Sequence, residues 1–144
     1  MEKKILVVDD EQDIVDLISY NLSKEGYKVF TASNGTQAVE VATTVRPDLV
    51  ILDIMMPGMD GFEVCRSLRQ DTSLSTTAIM FLTAKSSEID QILGLELGAD
   101  DYIQKPISPR VLLARVKTII RRGQEKIRTE TIAAPEILRL GALE

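Results

Sequence analysis

Five short, almost wholly apolar runs alternate along the chain with longer segments in which apolar residues recur every three or four positions. The runs are Ile5–Val8, Val29–Phe30, Leu49–Leu52, Ala78–Leu82 and Tyr102–Ile103. Continuous apolar runs are typical of strands buried on both faces, and the three-to-four spacing is typical of amphipathic helices. The pattern therefore predicts five consecutive strand–helix units.

This alternation constrains the topology, because parallel strands need crossover helices that pack on both faces of the sheet. We predict a doubly wound α/β fold, a flavodoxin-like (βα)5 three-layer sandwich with a parallel sheet in the order 2-1-3-4-5. Asp60 and Glu63 form a capping-box pattern at the start of the third helix, and Ser108-Pro109 starts the last. Gly94 should make the fourth helix the least stable.

Composition excludes several kinds of chemistry. The 144 residues include no His and one Cys, so a Ser-His-Asp triad, a His-bound metal and an internal disulfide are excluded. Three Tyr, three Phe and no Trp are too few for a base-stacking surface. The formal net charge of −5 is unlike that of a nucleic-acid-binding module. With no membrane-spanning apolar stretch and no signal peptide, we expect a cytoplasmic protein without membrane contact.

The polar residues of interest follow the predicted strands. Asp9 and Asp10 follow the first strand, Asp53 the third, Thr83 the fourth and Lys105 the fifth. An aspartate at a strand end is by itself most often a turn or cap residue. Ligands of doubly wound sheets, however, bind at the carboxyl ends of the strands, where all five residues are expected to meet.

Their chemistry suits a phosphoryl group. Three clustered carboxylates repel one another unless a cation lies among them, and Mg²⁺ prefers such oxygen ligands. Lys105 and Thr83 supply a positive charge and a hydroxyl for an anion. Since the chain has no His and no well-placed Ser or Cys nucleophile, Asp53 is the candidate acceptor of the phosphoryl group.

Four segments carry a resemblance to a known family. ILVVDD (5–10), LDIMMPGMDG (52–61), LTA (82–84) and GADDYIQKP (98–106) resemble the receiver domain of bacterial two-component response regulators. The resemblance extends from about residue 3 to residue 122. It implies that Asp53 is the phosphoacceptor and that Mg²⁺ is bound by Asp9, Asp10, Asp53 and the backbone carbonyl of Met55, with Asp9 acting partly through water.

The same resemblance implies roles around the phosphoryl group. Lys105 would pair with one phosphoryl oxygen, and Thr83 would donate a hydrogen bond to another. Tyr102 would be the aromatic residue that turns inward behind the threonine. Ala84 would leave the phosphoryl group accessible because its side chain is small.

The last third of the chain resembles the winged-helix (OmpR/PhoB-type) class of these regulators. Receivers of that class dimerise through the fourth helix, fifth strand and fifth helix, using ion pairs across a two-fold axis. The matching pairs here are Glu96 with Lys117, Asp100 with Arg122 and Asp101 with Arg115. A further Arg–Glu pair of the class is absent, since Gln91 and Val111 occupy its positions.

Two domains are expected from these patterns. Residues 1–122 form the receiver, and residues 123–144 form a linker and the start of a truncated winged-helix output domain, because EILRLGALE (136–144) resembles the first strand of that domain. A single-domain receiver with a frayed C-terminus is the alternative. DNA would be contacted only through the missing output domain.

The expected function is a phosphorylation switch rather than an enzyme, although such a domain assists its own phosphotransfer and autodephosphorylation. A sensor histidine kinase would donate the phosphoryl group, and phosphorylation would drive homodimerisation. Three alternative functions remain: an aspartyl-phosphate phosphohydrolase, an FMN or dinucleotide binder, and a pseudo-receiver that acts only as an interaction module. The phosphohydrolase normally has a DxD motif after the first strand. An FMN site would need a phosphate loop where Asp9 and Asp10 stand.

Overall fold

The fold is a five-stranded parallel sheet between two layers of helices. The structure is a computed structural model that describes residues 2–84, 92 and 96–123. The strands lie in the order β2-β1-β3-β4-β5; they are β1 (Lys4–Val8), β2 (Lys28–Ala32), β3 (Leu49–Asp53), β4 (Ala78–Thr83) and β5 (Asp101–Gln104). This confirms the predicted fold class and strand order.

Three helices and a fourth helical segment cover the sheet. They are α1 (Gln12–Lys24), α2 (Gly35–Val45), α3 (Gly61–Gln70) and residues 109–123, which we call the C-terminal helix. Between β4 and β5, Ile92 and Glu96 are helical, and the prediction about Gly94 lies outside the described residues. Within the described residues, no helix combines the length and apolar character needed to cross a bilayer.

Alternation along the strands divides the core between the two faces of the sheet. Leu6, Val8, Val50 and Leu52 face α2 and α3, where they pack with side chains such as Ala38, Ala42, Val64 and Leu68. Ile5, Val7, Leu49 and Ile51 face α1 and the C-terminal helix, where they pack with Ile18, Leu22, Leu112 and Val116. Because both faces of β1 and β3 are covered, the central strands are apolar throughout, as the sequence pattern predicted.

Capping residues and a glycine define the helix ends at the positions that the sequence pattern predicted. The Asp60 side chain accepts the Glu63 N–H, and Glu63 returns a bond to the Asp60 N–H, which completes the capping box. Asn34 caps α2 through its side chain, which accepts the Gln37 N–H. After α1, Gly26 adopts a φ of +91°, a conformation that few other residues tolerate. The C-terminal helix begins at residue 109 and continues through Gly123, one residue beyond the expected domain limit.

Arg69, at the end of α3, ties together the edge of the sheet opposite to the carboxyl ends of the strands. Its guanidinium donates hydrogen bonds to the carbonyls of Thr77 (2.6 Å), Ser75 (3.1 Å) and Gly98 (2.6 Å). It also lies 3.6 Å from Asp100, whose carboxylate accepts the N–H of Ile79. One side chain therefore joins α3 to the segments that enter β4 and β5.

Replacement of this guanidinium should cost substantial stability. We expect Arg69→Met to lower the free energy of unfolding by about 2–3 kcal/mol, because carbonyl groups lose a charged donor. Urea unfolding followed by circular dichroism measures the change. Arg66→Met, an exposed arginine of the same helix, is the matched control and should shift stability by less than about 0.5 kcal/mol. Equal effects of the two substitutions would contradict the role given to Arg69.

Candidate functional site

The buried polar side chains gather at one place in the sheet. Among the described residues, the buried polar or charged residues are Asp9, Asp53 and Thr83, with 1%, 3% and 5% exposure. They lie at or just after the carboxyl ends of β1, β3 and β4, which are neighbouring strands. Because burying an unpaired carboxylate is costly, this concentration marks a site built for a function.

Each carboxylate is oriented by the turn that follows its strand. The Asp9 N–H extends the pairing of β1 by donating to the Ala32 carbonyl at 3.3 Å, and Asp9 Oδ1 accepts the Glu11 N–H at 2.9 Å. Asp53 is the last residue of β3, and its Oδ1 accepts the Met55 N–H at 3.3 Å. Both side chains are thereby held by backbone donors two residues further along the chain.

Lys105 brings a positive charge into the centre of these carboxylates. Its Nζ lies 3.1 Å from Asp9, 3.3 Å from Glu11 and 3.6 Å from Asp53. The backbone N–H of Lys105 donates to the Thr83 carbonyl at 2.7 Å, which extends the β4–β5 pairing to the lysine. Glu11 was not among the predicted site residues; its position directly after Asp9-Asp10 was the available signal.

The site shifts the pKa of its central groups. Burial raises the pKa of Asp53 to about 7, and the neighbouring charge of Asp9 acts in the same direction, against the opposing influence of Lys105. For Lys105, burial opposes the charged form, but contact with Asp9 and the charges of Asp53 and Asp9 raise its pKa above the ordinary value. The Lys105 ammonium thus offsets only part of the cost of ionising Asp53.

The donor set can hold a cation. Asp9, Asp10 and Asp53 each offer a carboxylate oxygen, and these atoms lie within 4.8 Å of one another. Asp9 Oδ2 is buried and accepts no hydrogen bond, although the Lys105 ammonium is near it. An oxygen without a directed donor, beside an exposed Asp10, fits a hard divalent ion that takes oxygen ligands.

The other predicted site residues surround this centre. Met55, two residues after Asp53, is 72% exposed, and Ala84 is exposed after Thr83. Tyr102, in β5, is partly buried against the core on the α2 and α3 side. The structure therefore brings the five residues predicted at strand ends to one end of the sheet, and the roles that the resemblance implies for Met55, Ala84 and Tyr102 stay predictions.

Four of the six predicted dimer residues form ion pairs within the chain, namely Asp100, Asp101, Arg115 and Lys117. Arg115 contacts Asp101 at 3.0 Å and donates to the Tyr102 carbonyl, and Lys117 lies 2.9 Å from Glu25 at the end of α1. Hydrogen bonding and charge at this second pair lower the pKa of Glu25 and raise that of Lys117. Asp100 contacts Arg69. Pairing across a two-fold axis stays a prediction.

Comparison with known proteins identifies the family. Residues 5–117 match the response regulator receiver domain family. The chain belongs to that family. It is a receiver domain, the part of a response regulator that is phosphorylated on an aspartate, and its role is in signalling.

Curated and solved relatives agree with this assignment. The chain is 55% identical over 135 residues to the alkaline phosphatase synthesis transcriptional regulatory protein PhoP of Bacillus subtilis, covering 94% of the chain and 52% of PhoP. It therefore spans about half the length of that relative. The chemotaxis protein CheY4 of Vibrio cholerae is 34% identical with a TM-score of 0.80, covering 83% of this chain and 99% of CheY4.

The BeF₃-activated N-terminal receiver domain of Klebsiella pneumoniae RstA is similar as well. It is 42% identical with a TM-score of 0.76, over 83% of this chain and 99% of that receiver. With the family established, the phosphohydrolase and flavin-binding alternatives are set aside. The pseudo-receiver alternative can be tested only by measuring whether the chain is phosphorylated.

The raised pKa of Asp53 predicts how stability depends on pH. Between the ordinary value of 3.8 and about 7, the folded protein holds more protons than the unfolded chain, so stability falls as pH rises through this range. In chelator-treated protein at about pH 8, we expect Asp53→Asn to raise the free energy of unfolding by about 1–3 kcal/mol, because it removes a buried charge. At about pH 4 the gain should nearly vanish.

Thermal unfolding of both proteins across this pH range measures the difference. Asp13→Asn, on the exposed surface of α1, is the control and should show no such pH-dependent gain. An Asp53→Asn variant less stable than wild type at high pH would contradict the strain assigned to the carboxylate cluster.

Proposed function

We propose that Asp53 is the phosphoacceptor of this receiver and that Mg²⁺ is its cofactor. The observation that carries the proposal is the convergence of the buried Asp9 and Asp53 with Lys105 at one end of the sheet. The proposed metal ligands are Asp9, Asp10, Asp53 and the Met55 carbonyl, with Asp9 acting partly through water. Bound Mg²⁺ would neutralise charge on the carboxylates and on the phosphoryl oxygens.

Asp53 acts as the nucleophile. A carboxylate oxygen forms a bond to phosphorus while the bond between phosphorus and the donor breaks, and the leaving group departs with the electron pair. Backbone donation from Met55 to Oδ1 fixes the rotation of the carboxylate, so that one oxygen is held and the other is presented to the donor.

Lys105 changes partners during this step. Before transfer its ammonium is shared among Asp9, Glu11 and Asp53. A phosphoryl group on Asp53 brings more negative charge to the same place, and Lys105 then pairs with a phosphoryl oxygen. Thr83, at the end of β4, donates its hydroxyl to another oxygen, while Ala84 leaves access for the donor.

The new contacts supply the switch. Thr83 and Tyr102 lie on neighbouring strands, since β4 pairs with β5 and Phe81 is opposite Tyr102. When Thr83 turns toward the phosphoryl group, Tyr102 fills the space behind it, and the surface formed by Glu96, β5 and the C-terminal helix changes. The phosphoryl group biases the equilibrium because it contacts only one of the two arrangements.

The partners follow from the class of regulator. A sensor histidine kinase donates the phosphoryl group from its own histidine, which this chain lacks. The phosphorylated chain forms a homodimer through the changed surface, and its catalytic contribution is limited to its own phosphotransfer and autodephosphorylation. PhoP, of which this chain covers 52%, is named a transcriptional regulatory protein, which supports a DNA-binding output domain in the full-length protein.

Phosphoryl uptake tests the acceptor. With Mg²⁺ and acetyl phosphate, intact mass spectrometry should show one added phosphoryl group on the wild type and none on Asp53→Asn, because an amide is not a competent nucleophile. Asp13→Asn is the matched aspartate control and should be phosphorylated as the wild type is. Uptake by Asp53→Asn would refute the assignment, and no uptake by the wild type would favour the pseudo-receiver.

Dimerisation tests the surface. We expect phosphorylated wild type to elute as a dimer in size exclusion and Lys117→Glu to stay monomeric at the same concentration. A two-fold interface contains each contact twice, so one reversed charge introduces two repulsions. Lys28→Glu, on the opposite edge strand β2, is the control and should dimerise normally. Normal dimerisation of Lys117→Glu would exclude this surface.

A further inference from the structure

The segment that follows Asp53 is enclosed by two glycines. It runs from Ile54 to Asp60 and carries Met55, the proposed backbone ligand of the metal. Gly61 lies at its end, as the first residue of α3, and Gly35 contacts it from α2. We call residues 54–60 the β3–α3 loop.

Gly61 is in contact with the backbone of the phosphoacceptor. A Cβ atom at Gly61 would overlap the Asp53 carbonyl oxygen and would lie 2.8 Å from Ile54 Cα. The Gly61 N–H also donates to the Ile54 carbonyl at 2.9 Å. The helix start is therefore closed directly onto Asp53 and Ile54, at a distance that only glycine permits.

Gly35 makes the corresponding contact at the other end of the loop. A Cβ atom there would lie 2.6 Å from the Met59 carbonyl oxygen and 2.7 Å from Met59 Cβ. Gly35 is buried and is the first residue of α2, where an alanine would ordinarily favour the helix. The requirement for glycine at this position thus comes from the approach of Met59 rather than from the helix.

These two contacts differ from those of the other glycines near the site. Gly58, within the loop, has a φ of +75°, and a Cβ atom added there would have open space around it. Glycine is therefore favoured at this position by the backbone conformation and not by a close contact. Gly35 and Gly61 have no such φ. The atoms nearest to Gly61 are backbone atoms, and those nearest to Gly35 are the carbonyl oxygen, Cβ and Cγ of Met59, of which the first two cannot turn aside as the end of a flexible side chain can. An added methyl group must therefore displace the loop.

We propose that Gly35 and Gly61 are positioning residues of the metal site, which set the β3–α3 loop and through it the Met55 carbonyl. This inference rests on the proposed function, because it assumes that Mg²⁺ binds at Asp9, Asp10 and Asp53. It adds that α2, which supplies no ligand, controls the affinity of the site through its contact with Met59.

Isothermal titration calorimetry of the 144-residue chain with MgCl₂ measures the affinity for Mg²⁺ and tests the proposal. We expect Gly35→Ala and Gly61→Ala to weaken Mg²⁺ binding about tenfold or more, as loss of support behind a metal ligand does. Phosphorylation by acetyl phosphate should recover when MgCl₂ is raised, because Asp53 and Lys105 are retained. This recovery separates a positioning role from loss of the nucleophile.

Matched variants separate positioning from general destabilisation. Ala42→Gly in α2 and Val64→Ala in α3 remove methyl groups from the buried faces of the same helices and place no added atom against the loop backbone, so both should bind Mg²⁺ within about twofold of wild type. Gly123→Ala, where the space is open, should bind as wild type does. Circular dichroism identifies a temperature at which all variants are folded, and the titrations are made at that temperature. Sucrose is added to stabilise variants that would otherwise unfold.

The outcomes distinguish this inference from the function on which it rests. Wild-type affinity in both glycine variants, or equal losses in Ala42→Gly and Val64→Ala, would overturn the positioning role alone. If wild type binds no Mg²⁺ and takes up no phosphoryl group, the proposed function itself fails. If Gly61→Ala does not fold, the Mg²⁺ affinity of Gly35→Ala tests the positioning role, since Gly35 contacts Met59 and not Asp53.

Discussion

The balance between two buried carboxylates and one ammonium is the constraint on which the rest of the site depends. Asp9 and Asp53 are almost completely buried, and Lys105 lies within 3.6 Å of both. The ammonium compensates part of the repulsion, yet the pKa of Asp53 still rises to about 7. The fold therefore holds an unfavourable charge arrangement, which the proposed divalent cation would relieve, and cation binding would then be coupled to stability.

This arrangement needs a rigid support, and the sheet supplies it at both ends. At the carboxyl ends, the backbone pairing of β1, β3 and β5 continues up to Asp9, Asp53 and Lys105. At the opposite ends, Arg69 joins α3 to the segments entering β4 and β5. The side chains of the site thus project from positions fixed by strand pairing, while their own contacts remain free to exchange.

Much of this could be predicted from the sequence because parallel strands end at the same edge of a sheet. The apolar runs located all five strands, and the residues that follow them, such as Asp9, Thr83 and Lys105, had to meet. The partners of exposed charges were not predictable in the same way. Glu11, Glu25 and Arg69 find Lys105, Lys117 and Asp100 through the tertiary approach of elements distant in sequence. The contact of Gly35 with Met59 likewise depends on the distance between two helices, which no periodicity encodes.

The order of the strands places the proposed phosphoacceptor, Asp53, on a central strand and the proposed switch residue, Tyr102, on an edge strand. Asp53 lies on β3, which is paired on both sides, by β1 and by β4. Tyr102 lies on β5, a four-residue edge strand paired only with β4. Moving β3 would disturb two sets of ladder hydrogen bonds, whereas moving β5 disturbs one. A charge added at the proposed phosphoacceptor would therefore meet the stiffer strand, and the least costly adjustment would be at β5, where the proposed partner surface lies.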